Sequence, residues 1–135
     1  MNPQLPVPFP NPDSQPYWEA ARNEDLVIRK CKDCGQLHFM PRHLCPHCWS
    51  TELEWVKASG RATVHSFTVI RRAPIPSYAD RVPYVVALVD LEEGPRMLTN
   101  IVGDDALNTQ VGSAVEVRFE ARADFKLPQF ALAKS

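Results

Sequence analysis

Four cysteines constrain the fold of this chain more than any other feature. They form two pairs, Cys31 with Cys34 and Cys45 with Cys48, and ten residues separate the pairs. Two residues between paired cysteines turn both thiolates inward on one tight knuckle, and two facing knuckles supply the four ligands of a tetrahedral Zn²⁺ site. Gly35 follows the first pair and relieves backbone crowding there. The spacing therefore predicts a four-cysteine metal site.

The predicted metal site has a structural role rather than a catalytic one. Four cysteine ligands close the coordination sphere and leave no position for water or substrate. Residues 27–56 are too short to bury a core of their own, so metal binding, worth roughly 10 to 16 kcal/mol in zinc-finger peptides, supplies most of their folding energy. Iron held by four thiolates is the main alternative to zinc because the same ligands accept it.

Two other uses of the cysteines are less consistent with the sequence. A disulfide framework suits a secreted chain, but no basic stretch followed by an apolar segment opens this one, whose first cationic side chain is Arg22. A cytosolic, reducing location is therefore expected. Redox activity requires both pairs to act as independent dithiols within one short segment. His38, His43 and His47 are further possible ligands that the sequence leaves unassigned.

Charge and hydropathy narrow the range of partners. Fifteen basic and sixteen acidic side chains give a formal net charge of -1, so no overall field attracts nucleic acid or an anionic membrane. The longest apolar run covers residues 84–89, far below the roughly 20 residues that a membrane helix requires. A chain of 135 residues fits one soluble domain, or two small ones that share an interface.

The N-terminal segment is predicted to be an extended arm followed by a short helix. Six of the thirteen prolines lie within residues 1–16, which disfavours regular structure. A helix is expected from Asp13 or Ser14, either of which can cap it, to Asn23. Tyr17, Trp18 and Ala21 form its apolar side. Trp18 is expected to pack on the metal-binding segment, and docking to a partner is the alternative.

Alternating apolar residues predict five strands in the second half of the chain, at residues 60–72, 83–91, 96–102, 115–121 and 130–133. In the fourth strand, Val115, Val117, Phe119 and Ala121 are expected to point inward. Five strands with an interruption at residues 103–107 predict the small barrel called the OB-fold, and a five-stranded sandwich is the alternative. On the barrel interpretation, the loop at residues 73–82 is the candidate ligand-binding edge.

The combined motifs resemble the DUF35 family, whose members join a rubredoxin-like zinc ribbon to an acyl-CoA-associated OB-fold. The likeness covers nearly the whole chain and includes Tyr17-Trp18, Cys-x2-Cys-Gly, Cys-Pro-x-Cys, Glu54-Trp55, Ser59-Gly60-Arg61-x-Thr63-Val64, the apolar run at residues 83–89 and Gly94-Pro95-Arg96. It implies a mainly β fold with an arm and helix at residues 1–26, a ribbon at 27–56 and a barrel at 57–135. The cysteines match the family's metal positions one for one.

The resemblance also implies a function. DUF35 proteins are usually non-catalytic accessory subunits that bind thiolases, thiolase-like aldolases, hydroxymethylglutaryl-CoA synthases or acyl-CoA hydratases, and no catalytic residue can be carried over. The barrel is expected to help bind, shield or channel the CoA thioester. Arginines bind phosphates by charge-assisted hydrogen bonds, so the candidate CoA contacts are Arg71, Arg72, Arg81, Tyr78 and Tyr84. The structural alternative pairs these arginines with Asp80, Glu92 or Glu93.

Two other classes of function remain open at this point. Zinc ribbons and OB-folds also occur in nucleic-acid-binding proteins, but the charge balance disfavours that role because single-strand binding combines a basic groove with stacking. A free-standing enzyme or redox carrier needs iron or an open ligand position. The sequence offers no nucleophile and base at motif spacing and no glycine-rich phosphate loop.

Overall fold

One helix and two β-sheets make up the computed structural model, which describes residues 7–122 and 124–133. The helix is α1 (Gln15–Arg22), and the first sheet contains β1 (Val27–Cys31), β2 (Leu37–His38) and β3 (Leu53–Lys57). The second sheet contains β4 (Arg61–Ile70), β5 (Tyr84–Leu91), β6 (Arg96–Val102), β7 (Ala114–Arg122) and β8 (Phe125–Leu132). No helix in the described ranges has the length and apolar character needed to span a membrane.

The first sheet, with its two cysteine knuckles, is the ribbon. Its strands are antiparallel in the order β2-β1-β3, and β1 pairs along its whole length with β3, from Val27 opposite Lys57 to Cys31 opposite Leu53. Ile28 is fully buried, and the Arg29 guanidinium stacks 4.5 Å from the Trp55 ring centroid. The ribbon therefore adds only a few side chains to the core, as expected for a segment that depends on a metal.

The second sheet closes into a five-stranded barrel in the order β4-β5-β6-β8-β7. Pairing of β4 with β7 closes it, with Ala62 opposite Val115, which confirms the OB-fold and excludes the five-stranded sandwich. Among the described strands of the barrel, only β6 and β8 pair in parallel, at Ile101 with Phe130 and Val102 with Ala131. The interruption predicted between the third and fourth strands contains one short 3-10 turn, Ala106–Asn108.

The barrel strands confirm the predicted order, but the last one was predicted too short. It begins at Phe125 rather than residue 130 and pairs with β7 down to Arg122 opposite Phe125. Lys126 and Pro128 weaken the strand pattern in the sequence. Pro128 is tolerated because β8 pairs with β7 alone at this level, and proline is acceptable where one edge of a strand is free.

The inward pattern predicted for the fourth strand holds at its start and fails at its end. Val115 is buried in the core with Val64, Val85, Val89 and Phe130. Ala121, however, is exposed, and Arg122 on the opposite face is only 7% exposed. The physical reason is that the loop before β5 covers this end of the strand, with Tyr78 beside Arg122.

Helix α1 lies against both sheets. It ends at Arg22, one residue before the predicted Asn23, which is its C-cap. The Ser14 side chain does not cap it: the Ser14 amide donates to Asn11 Oδ1 at 2.8 Å, and the Asn11 amide donates to Ser14 Oγ. Residues 7–11, part of the predicted arm, have no regular secondary structure. The first six residues of that arm lie outside the described ranges.

Two neighbouring aromatic residues on α1 contact different sheets. The Tyr17 ring lies 5.5 Å from the Phe39 ring next to the ribbon, whereas the Trp18 ring meets the Phe125 ring of β8 edge-on at 6.3 Å. The expectation that Trp18 packs on the metal-binding segment is therefore corrected, because Tyr17 makes that contact. Tyr17 and Ala21, one turn apart, are the buried residues of the helix.

Candidate metal centre and ligand-binding cavities

The four cysteine sulfur atoms converge as the sequence predicts. All four Sγ atoms lie within 4.8 Å of one another, with Cys31 and Cys48 separated by 3.5 Å and Cys34 and Cys45 by 3.6 Å. A tetrahedral ion with Zn–S bonds of about 2.3 Å places its sulfur ligands about 3.8 Å apart. A disulfide requires about 2.05 Å. The arrangement therefore fits a tetrahedral metal ion and not a pair of disulfides.

The two knuckles have the same backbone design. In the first, the Gly35 amide donates to the Cys31 carbonyl and the Cys34 amide points at Cys31 Sγ at 3.4 Å. In the second, the Trp49 amide donates to the Cys45 carbonyl. The hydrogen bond from the Cys34 amide is the main reason that the pKa of the Cys31 thiol falls to about 7. This lowered pKa favours the thiolate form in which Cys31 would bind a metal.

The histidines left unassigned by the sequence lie outside the sulfur cluster. Within the described ranges, the group of side chains close enough to share one ion consists of the four cysteines. His43 is exposed and its Nδ1 lies 3.5 Å from Asp13 Oδ2. His47 is exposed, and His38 is buried. The thiolates are sufficient to complete the coordination sphere.

The loop predicted to form the ligand edge folds back on the barrel. The rings of Tyr78 and Tyr84 lie 5.3 Å apart, and Arg81 Nη2 lies 2.7 Å from Glu120 Oε1. Arg71 and Arg72 are exposed at the end of β4, and no described residue forms a hydrogen bond or ion pair with them. The structure thus brings three of the five candidate residues together and leaves two in solvent.

A partly buried ion-pair network that the sequence did not indicate holds this loop. Glu120 accepts hydrogen bonds from Arg81 and from Arg122 Nε, both at 2.7 Å, and Arg122 Nη1 lies 3.3 Å from the Tyr78 hydroxyl. Burial raises the pKa of Glu120, but the two arginines outweigh it and hold that pKa below its usual value. The structural alternative expected the candidate arginines to pair with Asp80, Glu92 or Glu93. Arg81 pairs with Glu120 instead.

An apolar groove, also not predicted, lies between α1, residues 39–41 and the outer surface of β5, β6 and β8. Its volume is about 580 Å³. Met40 and Leu98 on its walls are 61% and 65% exposed, which is unusual for large apolar side chains. Gln129 lines the groove, is 4% exposed, and its Oε1 atom has no hydrogen-bond partner among the described residues.

A second cavity, the polar cleft, separates the ribbon from the turn between β5 and β6. It measures about 570 Å³ and is lined by Gln36, His38, Arg42, His47, Glu93 and Arg96, among others. His38 is 6% exposed, and neither of its ring nitrogens has a partner in the described part of the chain. Phe39 and Arg96 line both the cleft and the groove. No linear motif connects these residues, which explains why the sequence did not reveal them.

Comparison with protein families gives two adjoining matches. Residues 18–54 match the family described as "ChsH2, rubredoxin-like zinc ribbon domain". Residues 55–120 match "ChsH2, C-terminal OB-fold domain". The junction at residues 54 and 55 falls within β3, between the ribbon and the barrel.

Three curated relatives are similar over most of this chain. A "DUF35 domain-containing scaffold protein" of Methanothermobacter thermautotrophicus is 42% identical over 70% of this chain and 71% of its own. The "Benzoylsuccinyl-CoA thiolase subunit BbsA" of Thauera aromatica is 33% identical, over 83% of this chain and 81% of its own. A "Probable enoyl-CoA hydratase alpha subunit" of Thermomonospora curvata is 39% identical over 93% of this chain. The chain spans only 39% of that hydratase subunit's length.

Among solved structures, a chain of the "Ltp2-ChsH2(DUF35) aldolase" is similar throughout. The TM-score is 0.84 with 38% sequence identity, and the match covers 95% of this chain and all of that one. The helix, the ribbon and the barrel therefore recur together in the same arrangement.

Proposed function

Because the chain belongs to the DUF35 family, we propose that it is a non-catalytic accessory subunit of an acyl-CoA-processing enzyme. Its partner is an enzyme of the thiolase, aldolase or hydratase class, and the subunit helps bind, shield or channel the CoA thioester substrate. The cytosolic location expected from the sequence is part of the same proposal.

One observation carries this proposal. Nearly the whole chain superposes on a DUF35 chain from an aldolase, at a TM-score of 0.84, and relatives of similar sequence are named as subunits of a thiolase and a hydratase. The shared unit across these different reactions is the ribbon with its barrel. A unit that accompanies several chemistries is better explained by binding and assembly than by one reaction of its own.

The metal in the four-cysteine site is proposed to be zinc rather than iron. Cys31, Cys34, Cys45 and Cys48 would hold it, and a closed sphere of four thiolates gives the ion a structural role. Elemental analysis of the purified chain should give one equivalent of zinc without a visible absorption band. A red protein with one equivalent of iron contradicts this assignment.

The residues that the sequence assigned to CoA remain candidates. Arg71 and Arg72 are exposed and free to meet a phosphate, whereas Tyr78 and Arg81 already have partners in the Glu120 network. Tyr84 is half-buried beside Tyr78. The boundaries at residues 26 and 56 likewise stay predictions, since helix α1 and the ribbon share contacts with the barrel.

Co-expression tests the accessory role. The chain is produced together with candidate thiolases, aldolases and hydratases of the same organism, and each pair is passed over a size-exclusion column. We expect one complex, and we expect the enzyme to lose activity or stability when the chain is omitted. Separate elution, with full activity and stability of the enzyme alone, contradicts the proposal.

A further inference from the structure

Two buried side chains carry polar atoms that no described residue pairs with, which indicates a bound ligand. Gln129 donates from Nε2 to Glu120 Oε2 at 3.4 Å, and this carboxylate contact orients the amide so that Oε1 is left as an acceptor without a partner. His38 is equally buried, and both of its ring nitrogens lack partners in the described ranges. Buried polar groups are normally hydrogen-bonded, so an unpaired one indicates a missing donor or acceptor.

The groove around Gln129 suits an extended, mainly apolar molecule that carries an N–H or O–H donor. Its walls are formed by aromatic and aliphatic side chains, including Tyr17, Phe39, Leu88 and Leu98. Gln129 Oε1 is an acceptor without a described partner on the lining of this mainly apolar groove. A cavity of about 580 Å³ with few polar groups is of the usual size and character for a small-molecule site.

The polar cleft suits a different chemistry. Arg42 and His47 are exposed, and Arg96 uses Nε for Asp90, which leaves its terminal nitrogens available. Burial, together with Arg29, His47 and Arg42, lowers the pKa of His38, so the neutral ring offers one donor and one acceptor. These groups favour phosphate, which arginine binds by charge-assisted hydrogen bonds.

One carboxylate in the cleft disfavours the binding of a simple inorganic anion. Glu93 accepts from the Ser59 amide through Oε2, while its buried Oε1 has no partner among the described residues. An inorganic anion gains nothing from this acceptor. A nucleotide does, because its base presents N–H donors as well as ring acceptors while its phosphates remain free to meet arginine.

The two cavities share Phe39 and Arg96, so one elongated molecule can occupy both. We propose that the groove and the cleft together form the binding site for a CoA thioester, with the amide-bearing pantetheine arm in the groove and the phosphorylated nucleotide in the cleft. This inference rests on the proposed function and moves the CoA contact from the loop at residues 73–82 to the face between ribbon and barrel.

Titration calorimetry on the full, metal-loaded chain tests the site. The probes are CoA, 4'-phosphopantetheine, ADP and inorganic phosphate. CoA should bind more tightly than either fragment because it occupies both cavities, and phosphate should bind weakest. In parallel, amide NMR signals of the wild-type chain should shift with CoA at residues 36–42, 96–100 and 127–129, and not at residues 73–82.

Matched substitutions locate the contact. Arg42→Glu should weaken CoA binding at least about tenfold through loss of a charge-assisted hydrogen bond. Arg71→Glu distinguishes the two locations, because Arg71 lines neither cavity and its loss should weaken binding comparably only if the arginines assigned from the sequence hold CoA. Leu98→Arg should block the groove, and Val111→Arg is its control because Val111 is 68% exposed and does not line either cavity. Metal content and circular dichroism confirm that each variant is folded.

Three results overturn the proposal: no CoA binding to the wild-type chain, a loss with Arg71→Glu as large as with Arg42→Glu, or NMR shifts confined to residues 73–82. The last two return the contact to the sequence-predicted loop. If a variant fails to fold, the wild-type NMR map alone decides. Co-purification with an enzyme but no CoA binding rejects the CoA site and leaves the accessory role intact. CoA binding without any complex rejects the accessory role and leaves the CoA site intact.

Discussion

Trp49 occupies in the second cysteine knuckle the position that Gly35 occupies in the first, and both have a positive φ, 68° for Trp49 and 77° for Gly35. Glycine adopts this conformation without steric cost, but a bulky residue does not. The Trp49 side chain is 78% exposed, so little burial compensates for the cost. The second knuckle therefore stores backbone strain that the first does not.

Trp49→Gly should stabilise the metal-loaded chain by about 1 kcal/mol, because it removes the left-handed penalty and exposes little apolar surface. Gly35→Ala should have the opposite sign and a similar size. A Cβ at Gly35 has no heavy atom within 4 Å, so backbone conformation alone is changed. Urea unfolding measures both, and a destabilising Trp49→Gly contradicts the expectation by showing that indole contacts outweigh the strain.

Gly60→Ala should be much more destabilising, by about 2 to 4 kcal/mol. A Cβ at residue 60 would lie 2.6 Å from Val117 Cγ1, and φ is 85°. The Gly60 carbonyl also accepts a hydrogen bond from the Val117 amide at 2.7 Å, so residue 60 cannot move freely away from β7. The measurement is the midpoint of urea unfolding.

Gly112→Ala is the control for this steric clash. Its φ of 92° is close to that of Gly60, but a Cβ there has open space within 4 Å. We expect only the backbone cost, about 1 to 2 kcal/mol. Equal losses in the two variants mean that contact with Val117 does not determine the effect at Gly60.

Removal of a cysteine ligand should unfold the ribbon. Cys45→Ser leaves three thiolates, and we expect the purified variant to lose its metal and the amide protection of residues 27–57 in hydrogen exchange. A strong chelator should do the same to the wild-type chain. His47→Ser is the matched control because His47 lies outside the sulfur cluster. Loss of metal in the histidine variant assigns His47 a ligand role.

Glu120→Gln should destabilise the chain by about 1 to 3 kcal/mol at neutral pH, because Arg81 and Arg122 lose a charged acceptor. The folded pKa of Glu120 lies below its unfolded value near 4.5. Its contribution is therefore fully present above that value and is lost as the pH falls through the folded pKa. The stability difference between wild type and variant should shrink as the pH is lowered below about 4.5.

Glu116→Gln provides the reference for this pH dependence. Glu116 lies on the same strand, but its partner Arg118 is 3.9 Å away and both side chains are about half exposed. Such surface pairs contribute less than about 1 kcal/mol. A constant difference between wild type and Glu120→Gln from neutral to acid pH refutes a role for the charge of Glu120.

The sequence predicted those parts of the fold that depend on local signals. Two CxxC pairs predicted the metal site, and Gly94-Pro95 marked the turn so clearly that β6 has the predicted bounds, Arg96–Val102. The buried state of Arg122 could not be predicted, because it depends on the path of the loop that carries Tyr78, more than 40 residues away in sequence. Alternation alone placed Ala121 inside.

The groove was unpredictable for a related reason. Tyr17, Met40 and Leu98 meet there from a helix, a loop and a strand that are distant in sequence. Each residue is unremarkable in its own segment. The cavity depends on the packing of a helix, a loop and three strands, so the sequence pointed instead to the loop at residues 73–82, which contains two prolines and follows Arg71 and Arg72.

The contacts of Tyr17 with Phe39 and of Trp18 with Phe125 have a practical consequence for dissecting this protein. A truncated chain that starts where the barrel family begins, at residue 55, would uncover the Phe125 ring and delete one wall of the groove. Such a fragment is expected to aggregate in isolation because apolar surface is exposed. The eight residues of α1 thus connect the ribbon to the barrel, and any truncated chain must keep them.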